Sequence, residues 1–193
     1  MTPASGVELL CLFEEASQTQ LTAVVTDLAG NVIWYYPIQP SGAFPMKLLP
    51  NGHMLVIVQG MSPTTNVVQE IDLAGTVISQ ISLENVQQGL TAAGLPFSSL
   101  GSLHHDIIKL PNGHMILLVN YSRTFTDQPG VTTVGGDLLI DWDPQQGPVW
   151  TWSTFDHIPL THAPYGTADW THANAVVYSP DDGNLILSMR NQN

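Results

Sequence analysis

The sequence predicts an all-β chain built from repeated antiparallel hairpins, and three observations carry that prediction. One turn-bearing segment recurs: Leu49-Pro50-Asn51-Gly52-His53-Met54-Leu55 returns as Leu110-Pro111-Asn112-Gly113-His114-Met115-Ile116, with a looser copy at Ser179-Pro180-Asp181-Asp182-Gly183-Asn184-Leu185. A second unit alternates with it: Asp27-Leu28-Ala29-Gly30-Asn31-Val32-Ile33-Trp34, then Asp72-Leu73-Ala74-Gly75-Thr76-Val77-Ile78, then Asp141-Trp142-Asp143-Pro144 running to Gly147-Pro148-Val149-Trp150. Helix signals are nearly absent, with only residues 84–95 suited to one short helix. In the first unit Pro presets φ at the leading corner. Asn-Gly or Asp-Gly supplies a positive-φ corner, and β-branched and aromatic residues flank the turns, which is hairpin chemistry.

Two hairpins make a four-stranded unit with strands a, b, c and d, and repeated units of this kind point to a β-propeller with strand a innermost. In chain order, blade one (7–36) holds only strands b, c and d: Val7–Phe13, Leu21–Thr26 and Val32–Tyr36, the last two joined by the Asp27–Gly30 turn. Blade two (43–82) uses Phe44–Leu49, His53–Gln59, Val67–Asp72 and Thr76–Ser82. Blade three (104–153) uses His104–Leu110, His114–Asn120, Asp137–Asp141 and Val149–Ser153. A half blade four (172–190) has strands a and b alone, His172–Tyr178 and Asn184–Arg190. About three blades form an arc with open strand edges, so the expectation is either a fragment of a longer propeller or a ring completed by a second copy or another chain.

Composition narrows the function. Sixteen acidic and four basic side chains among 193 residues leave a net charge of −12, which excludes nucleic-acid binding through clustered Lys and Arg. With 10% charged and 44% hydrophobic residues the chain is no disordered segment. No apolar run approaches the ~18 residues of a membrane span, and Met1–Leu10 lacks the basic start and apolar stretch of a signal peptide. The single Cys11 forms no intrachain disulfide. No phosphate-binding glycine loop, nucleophile elbow or zinc-protease motif occurs.

In a meander the short a–b and c–d turns share one end. The b–c loops (60–66 and 121–136) and d–a loops (83–103 and 154–171) share the other. Long loops on a rigid scaffold are where sites sit. Strand a starts at that end, which brings His104, His105, His172 and Asn174 there; strand b ends there, which brings Asn120 and Arg190. Such a set suits an oxyanion, because Arg presents a planar fork of donors and His adds donors that also move protons. Spacing alone serves equally a buried polar network tying blade three to blade four.

Other residues read as scaffold. His53 and His114 are expected as surface turn residues, and Asp27, Asp72, Asp141 and Asp143 as turn formers. Trp34, Tyr36, Trp150 and Trp152, with Trp142 and Trp170, read as packing. His157, His162 and Tyr165 fall in the d–a loop, more often solvated than functional. A metal site at His104-His105-Asp106 is disfavoured, because zinc takes three or four ligands and adjacent strand residues point to opposite faces.

Asp169-Trp170-Thr171-His172-Ala173-Asn174-Ala175-Val176, Tyr178-Ser179-Pro180 and Leu187-Ser188-Met189-Arg190-Asn191-Gln192 together resemble the signature of bacterial arylsulfate sulfotransferases, in which D-W-x-H-x-N precedes S-x-R-N. His104-His105-Asp106 ahead of a Leu-Pro-Asn-Gly turn fits the same family, as do the D-L-x-G-N-V-I-W hairpins. The similarity spans most of the chain. It implies a six-bladed propeller, usually exported and so periplasmic or extracellular, that moves a sulfuryl group from an aryl sulfate to a phenol. The family uses a ping-pong route through a sulfohistidine, with no cofactor, no metal and no nucleotide sulfate donor. Carried over by motif, His172 and Asn174 contact the sulfuryl group or phenolic oxygen, Arg190 neutralises sulfate charge, and His105, matching the H-D dipeptide, is favoured over His104 to complete the pocket. The family's nucleophilic histidine lies roughly a blade beyond S-x-R-N, and the sequence stops at Asn193. The expectation is therefore binding with little turnover by these residues alone, with the nucleophile's role not given to His172. The alternative is a non-enzymatic, propeller-like module that assembles through its open edges.

Overall fold

A computed structural model describes residues 6–14, 19–37, 43–95, 97, 100–126, 133–163, 166 and 168–192. Strands dominate it, at 55% against 9% helix, in antiparallel propeller-like blades, so the all-β expectation holds. The chain divides into two compact units, Met1–Gln80 and Ile81–Asn193. No helix among the described residues is long and apolar enough to cross a membrane.

In the first unit, β1 (Val7–Glu14), β2 (Thr19–Asp27) and β3 (Val32–Pro37) form one sheet in chain order. A second sheet has β4 (Ala43–Leu48), β5 (Met54–Gln59), β6 (Asn66–Ile71) and β7 (Val77–Ser82), whose last residues lead into the second unit. The two Asp-Leu-Ala-Gly turns are built alike. Asp27 Oδ1 accepts from the N–H groups of Ala29 and Asn31 at 2.9 Å each, and Asp72 Oδ1 from Ala74 at 2.9 Å and Thr76 at 2.8 Å. Gly30 and Gly75 take φ of 86° and 84°, a corner that a side chain disfavours. Met46, Met54, Val56 and Ile71 pack on Ala23, with Trp34 and Tyr36 laid against them. The Trp34 indole donates to Leu73 O at 2.7 Å, as expected of packing aromatics.

The turn histidines differ from expectation. His53 Nδ1 meets Glu70 Oε1 at 2.7 Å over a carboxylate that is almost fully buried. In the second unit His114 Nδ1 and Nε2 reach Asp141 and Asp143 at 2.9 and 3.3 Å. Each imidazole staples its turn to an acid on a neighbouring strand, because a buried or crowded carboxylate needs a donor; neither is a free surface residue.

The second unit opens with α1 (Leu83–Ala92), capped reciprocally: Ser82 Oγ accepts from Asn85 N and Asn85 Oδ1 from Ser82 N, both at 3.0 Å. It is the short helix expected near 84–95, buried through Leu83, Val86 and Leu90. A sheet follows of β8 (Leu100–Lys109), β9 (Met115–Thr124), β10 (Thr133–Asp143) and β11 (Gly147–Ser153), then the turn of helix α2 (Thr154–His157) and the hairpin β12 (Ala173–Tyr178) and β13 (Leu185–Met189). Ile116, Leu118 and Leu139 of the sheet pack on Ala173 and Val176 of the hairpin, blade against blade. Strand β8 starts at Leu100, four residues before the expected His104, and β9 and β10 extend into the loop expected at 121–136. The histidine pair therefore stands inside a strand rather than at its mouth.

Candidate functional site

Two irregularities in the sheets create the site. Between Leu103 and Ile107, β8 carries two more residues than its partner β9, and between Ala173 and Ala175, β12 carries one more than β13. Bulges of this kind re-aim side chains. His105 lies at φ 55° within the first, and His172 at φ 48° just before the second; among the described residues these are the non-glycine positions with positive φ. A β-strand sends neighbouring side chains to opposite faces, but the left-handed residue breaks that alternation. The rings of His104 and His105 come to 4.9 Å, edge to face, and the rings of His105 and His172 to 4.9 Å. Three imidazoles thus form a row.

Buried carboxylates hold the row. Asp137 of β10, 1% exposed, accepts through Oδ2 from Thr171 Oγ1 at 2.5 Å and from Ala173 N at 2.8 Å. Its Oδ1 faces His104 Nε2 at 3.0 Å, and among the described residues neither of those atoms has another partner. Burial pushes the Asp137 carboxyl up, but the bond and charge of His104 and the bonds from Thr171 and Ala173 outweigh it. The group is held below its ordinary value of 3.8. Asp106, also buried, accepts from Val176 N at 2.9 Å and from Ile107 N at 2.8 Å. These two buried acids of the sheet, Asp106 and Asp137, therefore grip the backbone of β12.

The segment carrying His172 is seated through close approaches. A Cβ on Gly135 would lie 2.3 Å from Ala168 O, so only glycine fits there; Gly135 O accepts from Trp170 N at 2.7 Å. Trp170 is fully buried, donates its indole N–H to His162 O at 2.8 Å, and stacks on Phe155. Downstream of β13, Arg190 N donates to His172 O at 2.9 Å, Asn191 Nδ2 to Asp169 O at 2.6 Å, and Gln192 Nε2 to Trp170 O at 2.7 Å. The two motif segments are thus zipped together.

His105 and His172 are half-buried, whereas His104 is 4% exposed and turned to Asp137. Burial first, then the neighbouring His104 and His172, lower the His105 pKa from 6.5 against the pull of Asp137 and Asp169, so its ring is neutral at pH 7. His172 Nδ1 meets Asp169 Oδ2 at 2.5 Å. Asn174 is the half-buried bulge residue of β12, and Arg190 is exposed with its main chain bound to that of His172. Asn120 pairs in register with Asp137 and accepts from Ser102 Oγ at 2.8 Å. His157 stacks on Trp152 instead of joining the row, His162 contributes a backbone carbonyl, and Tyr165 lies outside the described residues. No group of three potential ligands suited to a metal ion occurs among the described residues.

Sequence reasoning missed Asp106, Asp137, Asp169 and Thr171 as functional supports. The available signal was an acid leading an apolar strand run, as in Asp106-Ile107-Ile108 and Asp137-Leu138-Leu139-Ile140. A groove of about 470 Å³ lies apart from these histidines, lined by Trp150, Trp152, Tyr178, Asn184, Leu185 and Leu187 among others. Compared with known proteins, residues 2–193 match a family model described as Arylsulfotransferase (ASST). No curated protein matches the chain.

Proposed function

Since the chain belongs to the arylsulfotransferase family, we propose that the histidine row binds the sulfuryl group of an aryl sulfate for transfer to a phenol. The observation that carries this is the pair His105 and His172, both in left-handed backbone with rings 4.9 Å apart. Strained residues persist where the surroundings over-determine them, and such residues cluster at functional sites. In this reading His105 and His172 meet the sulfuryl and phenolic oxygens and Asn174 adds amide donors. Arg190 places its fork on the sulfate, and His104 supports His105 from behind through Asp137. Donors fixed before the ligand arrives stabilise charge that spreads over the equatorial oxygens during transfer, and a histidine nucleophile would divide the displacement into two steps. That nucleophile is assigned to none of these residues, whose part is to bind the sulfuryl group and stabilise its charge. With the reading goes an exported protein, periplasmic or extracellular.

The test is calorimetric titration with 4-nitrophenyl sulfate. Arg190→Ala and His172→Ala should each weaken binding by roughly tenfold or more, the scale of a charge-assisted contact of ~1.4 kcal/mol or above. Unchanged affinity in Arg190→Ala would remove the assigned anion contact.

A second reading, a non-enzymatic module completed by another copy or chain, rests on the groove. Trp150 stands opposite Asp141 as Trp34 stands opposite Val25, each just past the bulge of its hairpin. Trp34 donates to the carbonyl of Leu73 in the next sheet's turn, whereas Trp150 is 44% exposed at an open groove. An added hairpin with a similar turn would give Trp150 what Trp34 already has. Sizing that shows a discrete dimer, lost in Trp150→Ala, supports self-completion; a stable monomer speaks against it.

A further inference from the structure

We propose that Asp169 is a positioning residue that fixes the tautomer of His172, leaving Nε2 as the proton acceptor that faces a bound phenol. The inference rests on the substrate reading above and adds a residue to it. A carboxylate only accepts hydrogen bonds, so the 2.5 Å contact between Asp169 Oδ2 and His172 Nδ1 puts the ring proton on Nδ1. In a neutral imidazole the other nitrogen then carries the lone pair.

Both partners are fixed through their main chains. Asp169 O is held by Asn191 Nδ2 at 2.6 Å, and the adjoining Trp170 is fully buried and bonded to Gly135. His172 is pinned by its positive φ, by Arg190 N on its carbonyl, and by Ala173 N on Asp137. Ring and carboxylate therefore meet by backbone geometry, although the Asp169 side chain is 59% exposed. Among the described residues, the titratable and charged groups around His172 are His105 at 4.9 Å between ring centres, Asp169 itself, and Arg190, bonded to it through the main chain at 2.9 Å, with Asp137 and His104 behind.

The proton balance is simple. A phenol O–H transfers its proton to Nε2, Nδ1–H stays on Asp169, and phenolate plus an imidazolium paired with a carboxylate result. No bond to sulfur is needed for this step, so it is measurable without turnover.

The experiment uses the full chain with ¹⁵N-labelled histidine and long-range ¹H–¹⁵N correlation spectra, together with the absorbance of 4-nitrophenol, which separates phenol from phenolate. Wild type should show His172 as the Nδ1–H tautomer. Asp169→Ala should move it to Nε2–H or a mixture, and the ratio of phenolate to phenol in the bound ligand should fall by roughly tenfold, one pKa unit of the acceptor. Asp169→Glu should restore both. Should the Ala protein not fold, the isosteric Asp169→Asn is read in the same spectra for the loss of charge. An Nε2–H tautomer in wild type, or an unaltered tautomer and phenolate ratio in the variant, overturns the role of Asp169. Binding of 4-nitrophenyl sulfate, measured alongside, tests the substrate reading separately: that reading fails if neither wild type nor variant binds, whatever the tautomer.

Discussion

At His105 and His172 the usual ranking of alanine over glycine should invert. Both residues sit at positive φ, 55° and 48°, where a Cβ crowds the following carbonyl and costs about 1–2 kcal/mol that glycine escapes. Glycine in turn loses more chain freedom on folding, about 0.5–1 kcal/mol. Replacing either histidine by Ala or Gly removes the same imidazole contacts, so the Gly-minus-Ala difference isolates the backbone. It should favour Gly by about 0.5–1 kcal/mol at each position, or ~1–4 °C in melting temperature for a chain of this size. The two positions adjoin, so the double substitution will not be additive. Val177, exposed and regularly paired with Ile186 in β12, is the control: there Ala should exceed Gly by a similar margin. The assay is thermal and urea unfolding of the six variants. If Ala matches or exceeds Gly at both 105 and 172, as at 177, the histidines carry no backbone strain and the reasoning from strain to function falls.

Asp137→Ala should lower stability by about 3–5 kcal/mol, because it orphans the Thr171 hydroxyl, Ala173 N–H and a buried His104 together; Asp137→Asn, which keeps an acceptor, should lose less, about 1–3 kcal/mol in urea unfolding. The folded pKa of Asp137 lies below 3.8, so as pH falls the unfolded chain takes up the proton first. Its stabilisation is complete above about 3.8 and disappears as pH drops through the folded value, and the Asn variant should show a shallower loss there. His105 follows the same sign at higher pH: with a folded pKa below 6.5 it supports the fold above 6.5 and less as pH falls through its lowered value. Its ring proton should titrate by NMR with a midpoint under 6.5, and a midpoint at or above that value contradicts the burial argument. Gly135→Ala sets a Cβ 2.3 Å from the Ala168 carbonyl and should lower stability by about 1–3 kcal/mol while weakening aryl sulfate binding through displaced Trp170 and His172; wild-type melting would refute the close approach.

Local chemistry made the turns and the helix legible. Asp-Leu-Ala-Gly and Pro-Asn-Gly encode their corners in residues that tolerate them, and the structure places φ of 84–91° at Gly30, Gly52, Gly75 and Gly113. Meander logic likewise brought His104, His105 and His172 together from segments far apart in the chain. What stayed hidden was how they meet. Nothing in a His-His-Asp string marks its second residue as left-handed, since that conformation is imposed by the bulge against β9 and by contacts to β12. The length of β8 was hidden because Gly101-Ser102 reads as loop by composition, whereas Leu100 and Leu103 pair with β9. The acids were hidden because an isolated Asp or Glu reads as solvated. Glu70 and Asp141 find their histidines 17 and 27 residues away, and Asp106 finds Val176 N 70 residues away, separations that only the assembled sheets supply.

The buried acids of the second unit are better understood as setting register than as adding adhesion. Ile116, Leu118 and Leu139 already pack on Ala173 and Val176, and well-packed apolar residues commonly stabilise an interior as well as or better than buried charges do. An apolar face is indifferent to a two-residue slip of the hairpin, because strand side chains repeat with that period. Carboxylates are not indifferent. Asp137 requires the N–H of Ala173 and the hydroxyl of Thr171, and Asp106 requires the N–H of Val176; a slip would leave both charges buried and short of donors, at several kcal/mol each. The first unit packs its sheets around Met46, Met54, Val56 and Ile71 with Trp34 and Tyr36, and there the buried Glu70 serves its own sheet's turn through His53 and Asn51. Between β8–β10 and β12, by contrast, two acids clamp the strand that begins one residue after His172. Register is fixed most stringently where the imidazole row requires it.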